Sequence, residues 1–446
     1  MKRQLSQDMH VLELIKGGAQ TFTLRIIGLA LTYILTILIC RNLGARSVGI
    51  YALSLTIVGI AYALGKLGIE NAVLRFTAEF SAKDDYGVIK RIYALSIKLL
   101  VPSGIIVSVL MFLVSPLLAQ SLFHKEHLSL SLRIVSLGIL PTMLFSLNAE
   151  ALRGLKRIRA YSFLQSPACY AFSIVALLIF LSFSSDVLLP VFAYTISVFL
   201  VMALSFYLWI SALRPKAAGV RYGQFDLRDL LSVSLPMFIT SFSALIMGWA
   251  DIIILGLFRP ETDVGIYSVA LRVALLPSFA LMAINSIAGP KFAEHHGKGD
   301  MAGVKKIAQQ AAKLTGLSSL PIIIALLAVP EHILGLFGND FVAGKYVLLI
   351  VVLGQLVNCS CGSVGLFLNM TGRHVLVRNV ISMATLLNIT LNLILIPRYG
   401  IHGAALATAI STVFWNVILM ISIYKIFDFW TLYVHLPLPR SRSVSL

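Results

Sequence analysis

Long apolar stretches recur along the whole chain and are separated by short polar connections. A helical stretch of about 20 apolar residues matches the hydrocarbon thickness of a bilayer. The pattern therefore predicts an all-α, polytopic membrane protein. Twelve transmembrane helices are expected, near residues 17–40, 49–69, 93–119, 132–150, 161–184, 187–212, 230–258, 265–288, 309–329, 346–370, 376–397 and 401–425.

The composition agrees with this interpretation and excludes a soluble domain. Of the 446 residues, 58% are hydrophobic and only 12% are charged, with a mean hydropathy of +0.91. The polar segment 1–16 precedes an apolar stretch that is too long for the core of a signal peptide, so we expect the first helix to be retained. The four cysteines are scattered in or near apolar segments, which favours neither a disulfide framework nor a metal site.

The net charge of +17 is distributed unevenly between the loops. On one predicted side of the membrane the connections and both chain ends carry 25 Lys and Arg residues, whereas the other side carries 6. Because positive residues concentrate in cytoplasmic loops, we expect both termini, 1–16 and the tail 426–446, to be cytoplasmic. The charge is then a topology signal with some attraction to anionic lipid, and nucleic acid is not an expected partner.

A four-residue phrase, Val-Gly-Ile-Tyr, occurs at 48–51 and again 216 residues later at 264–267. The same offset aligns loop positions as well as apolar ones. The matches in loops are Gly87 with Gly303 and Arg157 with Arg373. We interpret the phrase structurally: its glycine permits close packing at the start of a helix, and its tyrosine is expected to anchor the helix at the membrane interface.

The repeat predicts an internal duplication. Two copies of a six-helix unit are expected, an N-terminal lobe over 17–229 and a C-terminal lobe over 230–425. Six crossings return the chain to its starting side, so the copies are parallel and related by a pseudo-two-fold axis along the membrane normal. Helices broken by proline favour rocking of one lobe against the other. Prolines inside predicted helices are Pro102, Pro141, Pro167, Pro236, Pro277 and Pro321. Transport by alternating access is therefore the first hypothesis.

Four cationic residues in the predicted helices are candidates for a substrate site. Arg25 lies about eight residues into the first helix and Arg272 about seven residues from the outer end of the eighth, so both are expected to face a polar cavity. Lys66 lies near a helix end, where reaching the headgroups is favoured, and for Lys98 both interpretations stay open. Because arginine binds phosphate in a bidentate manner, cations from both lobes suit an anionic substrate such as a diphosphate.

The acidic residues of the apolar segments have other expected roles. Asp251, late in the seventh helix, is either a structural cap or ion pair, which its position near the outer end favours, or a ligand of a coupling ion. Glu70 and Glu150 fall at inner helix ends, where solvated roles are expected. The Glu-His-His sequence at 294–296 is expected to be a solvated helix face rather than a metal site.

Four longer phrases carry a resemblance to a known family. They are RNLGARSVGIYALSL at 41–55, EALRGLKRIRAYS at 150–162, ADIIILGLFRPETDVGIYSVALR at 250–272 and LNLILIPRYGIHGAALATAIS at 391–411. Together with the tandem helical repeat, they resemble the polysaccharide-transporter branch of the multidrug/oligosaccharidyl-lipid/polysaccharide exporter superfamily. The resemblance covers nearly the whole chain, about 17–425.

The resemblance implies a V-shaped, two-lobed transporter with a cationic central cavity in the bacterial cytoplasmic membrane. It implies a Wzx-type flippase, which moves an undecaprenyl-diphosphate-linked repeat unit of O-antigen, capsule or exopolysaccharide to the outer leaflet. Arg25 and Arg272 are similar in placement to the cavity arginines of such flippases, with Lys66 and Lys98 as further candidates. No cofactor or metal is implied, and the expected partners are the lipid-linked glycan, the bilayer and the polysaccharide polymerase machinery.

Two other functions stay open. A drug or cation antiporter of the same superfamily would use a carboxylate early in the first helix, whereas this helix carries Arg25 and no acid. A membrane polymerase or glycosyltransferase would need a sizeable external loop with catalytic acids, but the predicted outer connections are only about 12–17 residues long. Their only close acidic pair is Glu261 and Asp263. The sequence also lacks a nucleotide-binding loop for ATP-driven transport.

Overall fold

The described part of the chain is mostly α-helical. This computed structural model describes residues 2–165, 167–217 and 220–431, with side chains from Gln20 onward except at 217, 236 and 239–247. No strand occurs within these ranges. In chain order the α-helices are α1 (Lys2–Lys66), α2 (Ile69–Ala82), α3 (Tyr86–Leu117), α4 (Glu126–Ser136), α5 (Ile139–Gly154), α6 (Ile158–Gln165), α7 (Pro167–Leu181), α8 (Leu189–Ala217), α9 (Leu227–Phe258), α10 (Glu261–Ala274), α11 (Ser278–Gly297), α12 (Met301–Ala328), α13 (Pro330–Gly335), α14 (Lys345–Cys361), α15 (Val364–Met370), α16 (His374–Tyr399) and α17 (Ile401–Phe427). A π-helical turn covers Leu118–Leu122, and a 3-10 helix covers Asn339–Gly344.

The first helix, α1, contains two of the predicted helices joined without a loop. Gly44 interrupts it with φ of +74° and ψ of −178°, a non-helical conformation. This left-handed region is open to glycine because it has no Cβ. The predicted helices 17–40 and 49–69 are therefore separated only by the kink at Gly44.

The number of membrane spans differs from the number of predicted helices. Seven helices among the described residues are long and apolar enough to cross a membrane, or up to ten if each of three bent pairs is one span. That count treats α1 as one span, although α1 covers the first two predicted helices. The all-helical, multi-pass architecture is thus confirmed, and twelve spans remain a prediction.

Three of the six predicted proline positions lie at or near a break between helices. Bends of 43°, 42° and 46° separate α4 from α5, α6 from α7 and α10 from α11. Pro141 lies in the first turn of α5, Pro167 begins α7 and Pro277 immediately precedes α11. The other prolines lie inside continuous helices, Pro102 in α3, Pro236 in α9 and Pro321 in α12. Proline breaks are therefore confirmed for half of the predicted positions.

The helices pack into two compact units. Unit 1 comprises Met1–Ala270, His332–Gly344 and Asn392–Ile401, and unit 2 comprises Leu271–Glu331, Lys345–Leu391 and His402–Leu446. These units differ from the predicted lobes, 17–229 and 230–425. A compact unit reflects which helices touch, whereas a sequence repeat reflects duplication, so the division into lobes remains a prediction.

Each unit has its own core. In unit 2 the core is aromatic: Phe367 is fully buried and packs edge-on against Phe292, Phe427 and Phe429, with ring centroids 5.5, 5.2 and 5.6 Å apart. Edge-to-face pairs of this kind stabilise a core beyond the area that they bury. In unit 1, α5 packs against α2 and α8, and α1 packs against α7. Because α1 also contacts α5, the end of α1 at Lys66 lies beside α2 and α5, on the side predicted to be cytoplasmic.

The two copies of Val-Gly-Ile-Tyr contact each other within unit 1. A Cβ added to Gly49 would lie 1.7 Å from the carbonyl oxygen of Glu261, and a Cβ added to Gly265 would lie 2.0 Å from that of Ala45. The contact is reciprocal, because Ala45 and Glu261 are themselves one repeat offset apart. A two-fold axis produces this kind of self-complementary contact. Duplication of all six helices remains a prediction.

The tyrosines of the repeated phrase are buried, so their prediction as interface anchors is wrong. Tyr267 is 0% exposed and Tyr51 is 9% exposed, the latter edge-on against Tyr194. The physical reason is the close approach at the neighbouring glycines, which puts the phrase in a helix–helix contact instead of at the headgroups.

Candidate functional site

The five predicted site residues have different environments. Arg25 on α1 and Lys98 on α3 are exposed, whereas Lys66 at the end of α1 and Arg272 in α10 are half-buried. Asp251 in α9 is buried, with 5% of its surface exposed. Among the described residues, Arg25 and Lys98 form no hydrogen bond or ion pair within the protein. Their cationic groups are therefore free to bind a ligand.

Lys66 turns into the protein. Its Nζ lies 2.6 Å from Oε1 of Glu70, and the two side chains are only 17% and 8% exposed. The ammonium also lies 4.8 Å from the ring centroid of Tyr62, where a cation is attracted to the ring face. The expectation that Lys66 reaches the headgroups is thus wrong, because a buried carboxylate one helical turn away offers a stronger partner.

Glu70 and Glu150 are buried, which corrects the expectation of solvated roles. They are 6% and 7% exposed, because α2 and α5 pack against each other and enclose both side chains. Glu70 Oε2 has no hydrogen-bond partner. Glu150 accepts two long hydrogen bonds, at 3.3 Å each, from Arg153 and Gln165. The charges of the two carboxylates interact.

These residues belong to one group, which we call the inner cluster. Besides the carboxylates and Lys66, the group includes Arg153, whose guanidinium lies 5.0 Å from the ring of Tyr161 on α6. The charge of Arg25 acts on the same Tyr161. The inner cluster therefore consists of Arg25, Lys66, Glu70, Glu150, Arg153 and Tyr161. The structure brings two of the predicted cations, Arg25 and Lys66, into this group and leaves Lys98 outside it.

Two of the acids in the inner cluster were missed as site residues. The sequence carries a signal for each, since Glu70 follows Lys66 at i+4 and Arg153 follows Glu150 at i+3. Such spacings put opposite charges on the same helix face. The burial of the two carboxylates has no comparable signal, because it depends on which helices pack together.

Asp251 lies in a separate hydrogen-bond network with Tyr267 and Asn392. Its Oδ2 accepts from the hydroxyl of Tyr267 at 2.8 Å, and its Oδ1 accepts from the amide of Asn392 at 2.6 Å. All three residues are at least nine-tenths buried. The network links α9, α10 and α16 within unit 1, so one function of this carboxylate is structural.

We predict that Asp251→Ala lowers the free energy of unfolding by about 2–4 kcal/mol, because it removes a buried acceptor from two donors at once. Asp251→Asn retains one acceptor and should cost less. Thermal unfolding of the purified variants in detergent measures the effect. Asp229→Ala, an exposed position on the same helix, is the matched control. An Asp251→Ala variant as stable as this control would contradict the structural role.

Charged contacts also join the helix ends on the side predicted to be external. Arg46 Nε lies 3.9 Å from Glu261 Oε2, and Arg41 Nε donates to the carbonyl of Leu336 at 2.9 Å. Lys125 is buried and donates to the carbonyl of Gly256, near the end of α9. Burial lowers the pKa of the Lys125 ammonium, and Glu261 opposes this shift. Together with the glycine contact, these bonds close unit 1 on that side.

Glu294 and His295 each pair with a residue that follows closely in the chain. Glu294 pairs with Lys298 at 2.5 Å, and His295 Nδ1 lies 2.8 Å from Asp300 Oδ2. The N–H of Gly303 and the contact with His295 hold the pKa of Asp300 below its usual range. No group of three His, Cys, Asp or Glu side chains that could hold a metal ion occurs in the part of the chain that the structure describes.

The fold is shared with transporters of known structure. An inward-facing multidrug resistance MATE family transporter of the MOP superfamily superposes with a TM-score of 0.76 at 13% identity, covering 90% of this chain and 94% of that one. The lipid II flippase MurJ in an inward closed conformation gives 0.73 at 17% identity, covering 92% and 87%. At these identities the likeness defines the fold, which is that of a multi-pass transporter.

The family follows from the sequence matches. Residues 14–296 match the family described as polysaccharide biosynthesis protein, and residues 236–394 match MatE. The first match covers more than half of the chain, so the chain belongs to the polysaccharide biosynthesis protein family. This places it in the polysaccharide-transporter branch of the exporter superfamily, as the resemblance implied.

Curated relatives from Haloferax volcanii are similar over most of the chain. The probable low-salt glycan biosynthesis flippase Agl15 is 23% identical over 403 residues, which is 90% of this chain and 81% of the relative. The probable flippase AglR is 27% identical over 402 residues, or 85% and 76%. Both relatives are described as probable flippases, and the two structural neighbours are a MATE family transporter and a lipid II flippase.

Proposed function

We propose that the chain is a flippase that moves an undecaprenyl-diphosphate-linked oligosaccharide repeat unit from the inner to the outer leaflet of the bacterial cytoplasmic membrane. The observation that carries the proposal is the inner cluster, a group of ionisable side chains at helix ends of a polysaccharide biosynthesis protein. Ionisable residues within a membrane protein are costly and mark the path of a polar substrate. The flippase relatives support this function over a catalytic one.

Arg25 and Arg272 are the proposed ligands of the diphosphate, with Lys66 and Lys98 as supporting cations. A guanidinium binds phosphate oxygens through two parallel hydrogen bonds, so two arginines match two phosphates. The exposed, unpaired state of Arg25 supports its assignment. Moving a diphosphate outward through an inside-negative potential releases about 2.3 kcal/mol per charge per 100 mV, and bound arginines reduce the net charge that moves.

Alternating access is the proposed mechanism. The closure of unit 1 on its predicted external side, by the Gly49–Gly265 contact and the Arg46–Glu261 pair, supports a resting state that receives substrate from the cytoplasm. The excess of Lys and Arg on the opposite side supports cytoplasmic termini. The repeat unit would be delivered to polymerase machinery at the outer surface.

A drug or cation antiporter is the second candidate, and the MatE match over 236–394 favours it. In such a transporter Asp251 would hold the coupling ion. If Asp251 binds Na⁺, then Na⁺ should raise the unfolding temperature of the wild-type protein and leave that of Asp251→Asn unchanged. Equal shifts in both proteins would leave Asp251 with its structural role alone.

Deletion of the gene in its host tests the proposed function. We expect a completed lipid-linked repeat unit to accumulate on the cytoplasmic side while the surface polymer is lost, with restoration by the wild-type gene. Sensitivity to cationic dyes is measured in parallel. Unchanged glycans with accumulated dye would favour the antiporter, and an unpolymerised unit at the outer surface would favour an enzyme that acts after translocation.

A further inference from the structure

The ion pair at the end of α1 creates a conflict within the proposed substrate site. Lys66 is a candidate ligand of the substrate diphosphate, but its ammonium lies 2.6 Å from Glu70 Oε1. An ammonium that contacts a carboxylate this closely is already neutralised. Phosphate oxygens can bind Lys66 only by displacing the carboxylate of Glu70. The displaced carboxylate is buried, because Glu70 is only 6% exposed.

The surroundings of Glu70 decide what happens to its charge. Glu150 is also buried, and its charge interacts with that of Glu70. Arg153 is committed to Glu150 by a 3.3 Å contact. When the diphosphate takes Lys66 and Arg25 binds the same ligand, the two buried carboxylates are left with one cation, Arg153. Two like charges in a site of low dielectric cannot both stay ionised cheaply, and one of them takes up a proton.

A place for that proton exists. Glu70 Oε2 is buried and has no hydrogen-bond partner, whereas both oxygens of Glu150 accept hydrogen bonds. Several titratable groups surround Glu70. They are Tyr62 and Lys66 of α1, Glu150 and Arg153 of α5, and Tyr161 of α6, which also interacts electrostatically with Arg25. At the turn between α1 and α2, the neighbouring residues of α3 and α9 are uncharged. Ser103 of α3 donates to the carbonyl of Gly65, and the carbonyl of Ser234 of α9 lies beside Gly68.

We propose that Glu70 and Glu150 form a proton site that couples substrate binding to proton uptake: the diphosphate displaces Glu70 from Lys66, and Glu70 Oε2 binds a proton taken from cytoplasmic water. The inference rests on the proposed function, because it requires a diphosphate ligand. Charge balances in this step, since one negative charge of the ligand replaces one negative charge of Glu70 beside the ammonium. Release of the ligand reverses the exchange and frees the proton.

Calorimetric titration tests the coupling. The probe is a farnesyl-diphosphate-linked sugar, a diester whose phosphates do not titrate near neutral pH, added to the full-length protein in detergent. Titrations in buffers of different ionisation enthalpy count the protons bound. We expect uptake of up to about one proton per ligand, so the affinity should rise by up to roughly tenfold for each unit that the pH falls over the range in which uptake accompanies binding.

The variants separate this coupling from other effects. Glu70→Gln frees Lys66 permanently, so it should bind the probe at high pH as tightly as the wild type does at low pH, without proton uptake. Lys66→Met removes the contested cation and should bind more weakly, also without uptake. Glu79→Gln is the matched control, because Glu79 forms the same i,i+4 pair with Lys83 at 2.8 Å in an exposed position.

The outcomes are distinguishable. Wild-type binding without proton uptake would overturn the coupling and leave the flippase proposal intact, as would uptake that persists in Lys66→Met. If Glu70→Gln does not fold, the wild type and Lys66→Met still decide. A probe that binds to none of the proteins at any pH would contradict both the coupling and the diphosphate substrate.

Discussion

Replacing Gly49 or Gly265 with alanine is expected to abolish the folded, active protein. The added Cβ would lie 1.7 Å from the carbonyl oxygen of Glu261 in one variant and 2.0 Å from that of Ala45 in the other. Both neighbours are backbone atoms in helical segments, so relief requires a helix to move. Overpacking in a close contact costs about 1–3 kcal/mol and occasionally more, and these distances point to the upper end.

The yield of monodisperse protein and its unfolding temperature in detergent measure this effect. Gly316→Ala is the control, because a Cβ at Gly316 in α12 would meet nothing within 4 Å. Alanine in that helix should be neutral or stabilising by up to about 1 kcal/mol. A Gly49→Ala or Gly265→Ala variant as stable as Gly316→Ala would mean that the two copies of the phrase do not approach this closely.

Replacing Arg25 or Arg272 with alanine is expected to stop transport while leaving the protein folded. Removing one partner of a buried charge-assisted contact costs about 2–5 kcal/mol, and 2 kcal/mol is roughly a 30-fold loss of affinity. Because Arg25 has no partner of its own among the described residues, its loss should not destabilise the protein. Arg25→Lys keeps the charge but loses the bidentate geometry, so partial activity is expected.

Complementation of the deletion strain measures this loss, with surface polymer as the readout and immunoblots to show equal protein levels. Arg91→Ala is the matched control, since Arg91 is an exposed arginine near the predicted cytoplasmic end of α3. Full complementation by both Arg25→Ala and Arg272→Ala would remove these two residues from the substrate site. Loss of polymer in the Arg91→Ala strain as well would point to a general effect of charge.

The helices could be predicted from the sequence because the signal is local. A stretch such as 93–119 is apolar over the length of a bilayer whatever it packs against, and α3 with the π-helical turn that follows it covers that stretch. The meeting of Gly49 and Gly265 could also be anticipated in kind, because the repeat marks both positions as places for close packing. The reciprocal geometry of this contact could not be predicted, because the spacing of two positions along the sequence does not say how close they lie in the fold.

The inner cluster was predicted only in part, and the reason is tertiary. A lysine near a helix end can reach the headgroups or turn inward, and for Lys66 the choice depends on Glu70 and on the α5 helix that encloses them. The burial of Glu150 has the same origin. The depth of Arg25 in the membrane remains a prediction from its position along the helix, and the action of its charge on Tyr161, more than a hundred residues away, follows from packing alone.

The reciprocal glycine contact has a consequence for the history of the chain. In a dimer of identical halves, one codon would supply both glycines, so a substitution would have struck both sides of the contact at once. In a fused chain each side has its own codon and is free to change alone. A side chain at either position still meets backbone of the opposite copy, so selection on one site continues to depend on the other. A change at Gly49 or at Gly265 is therefore a change to the same contact.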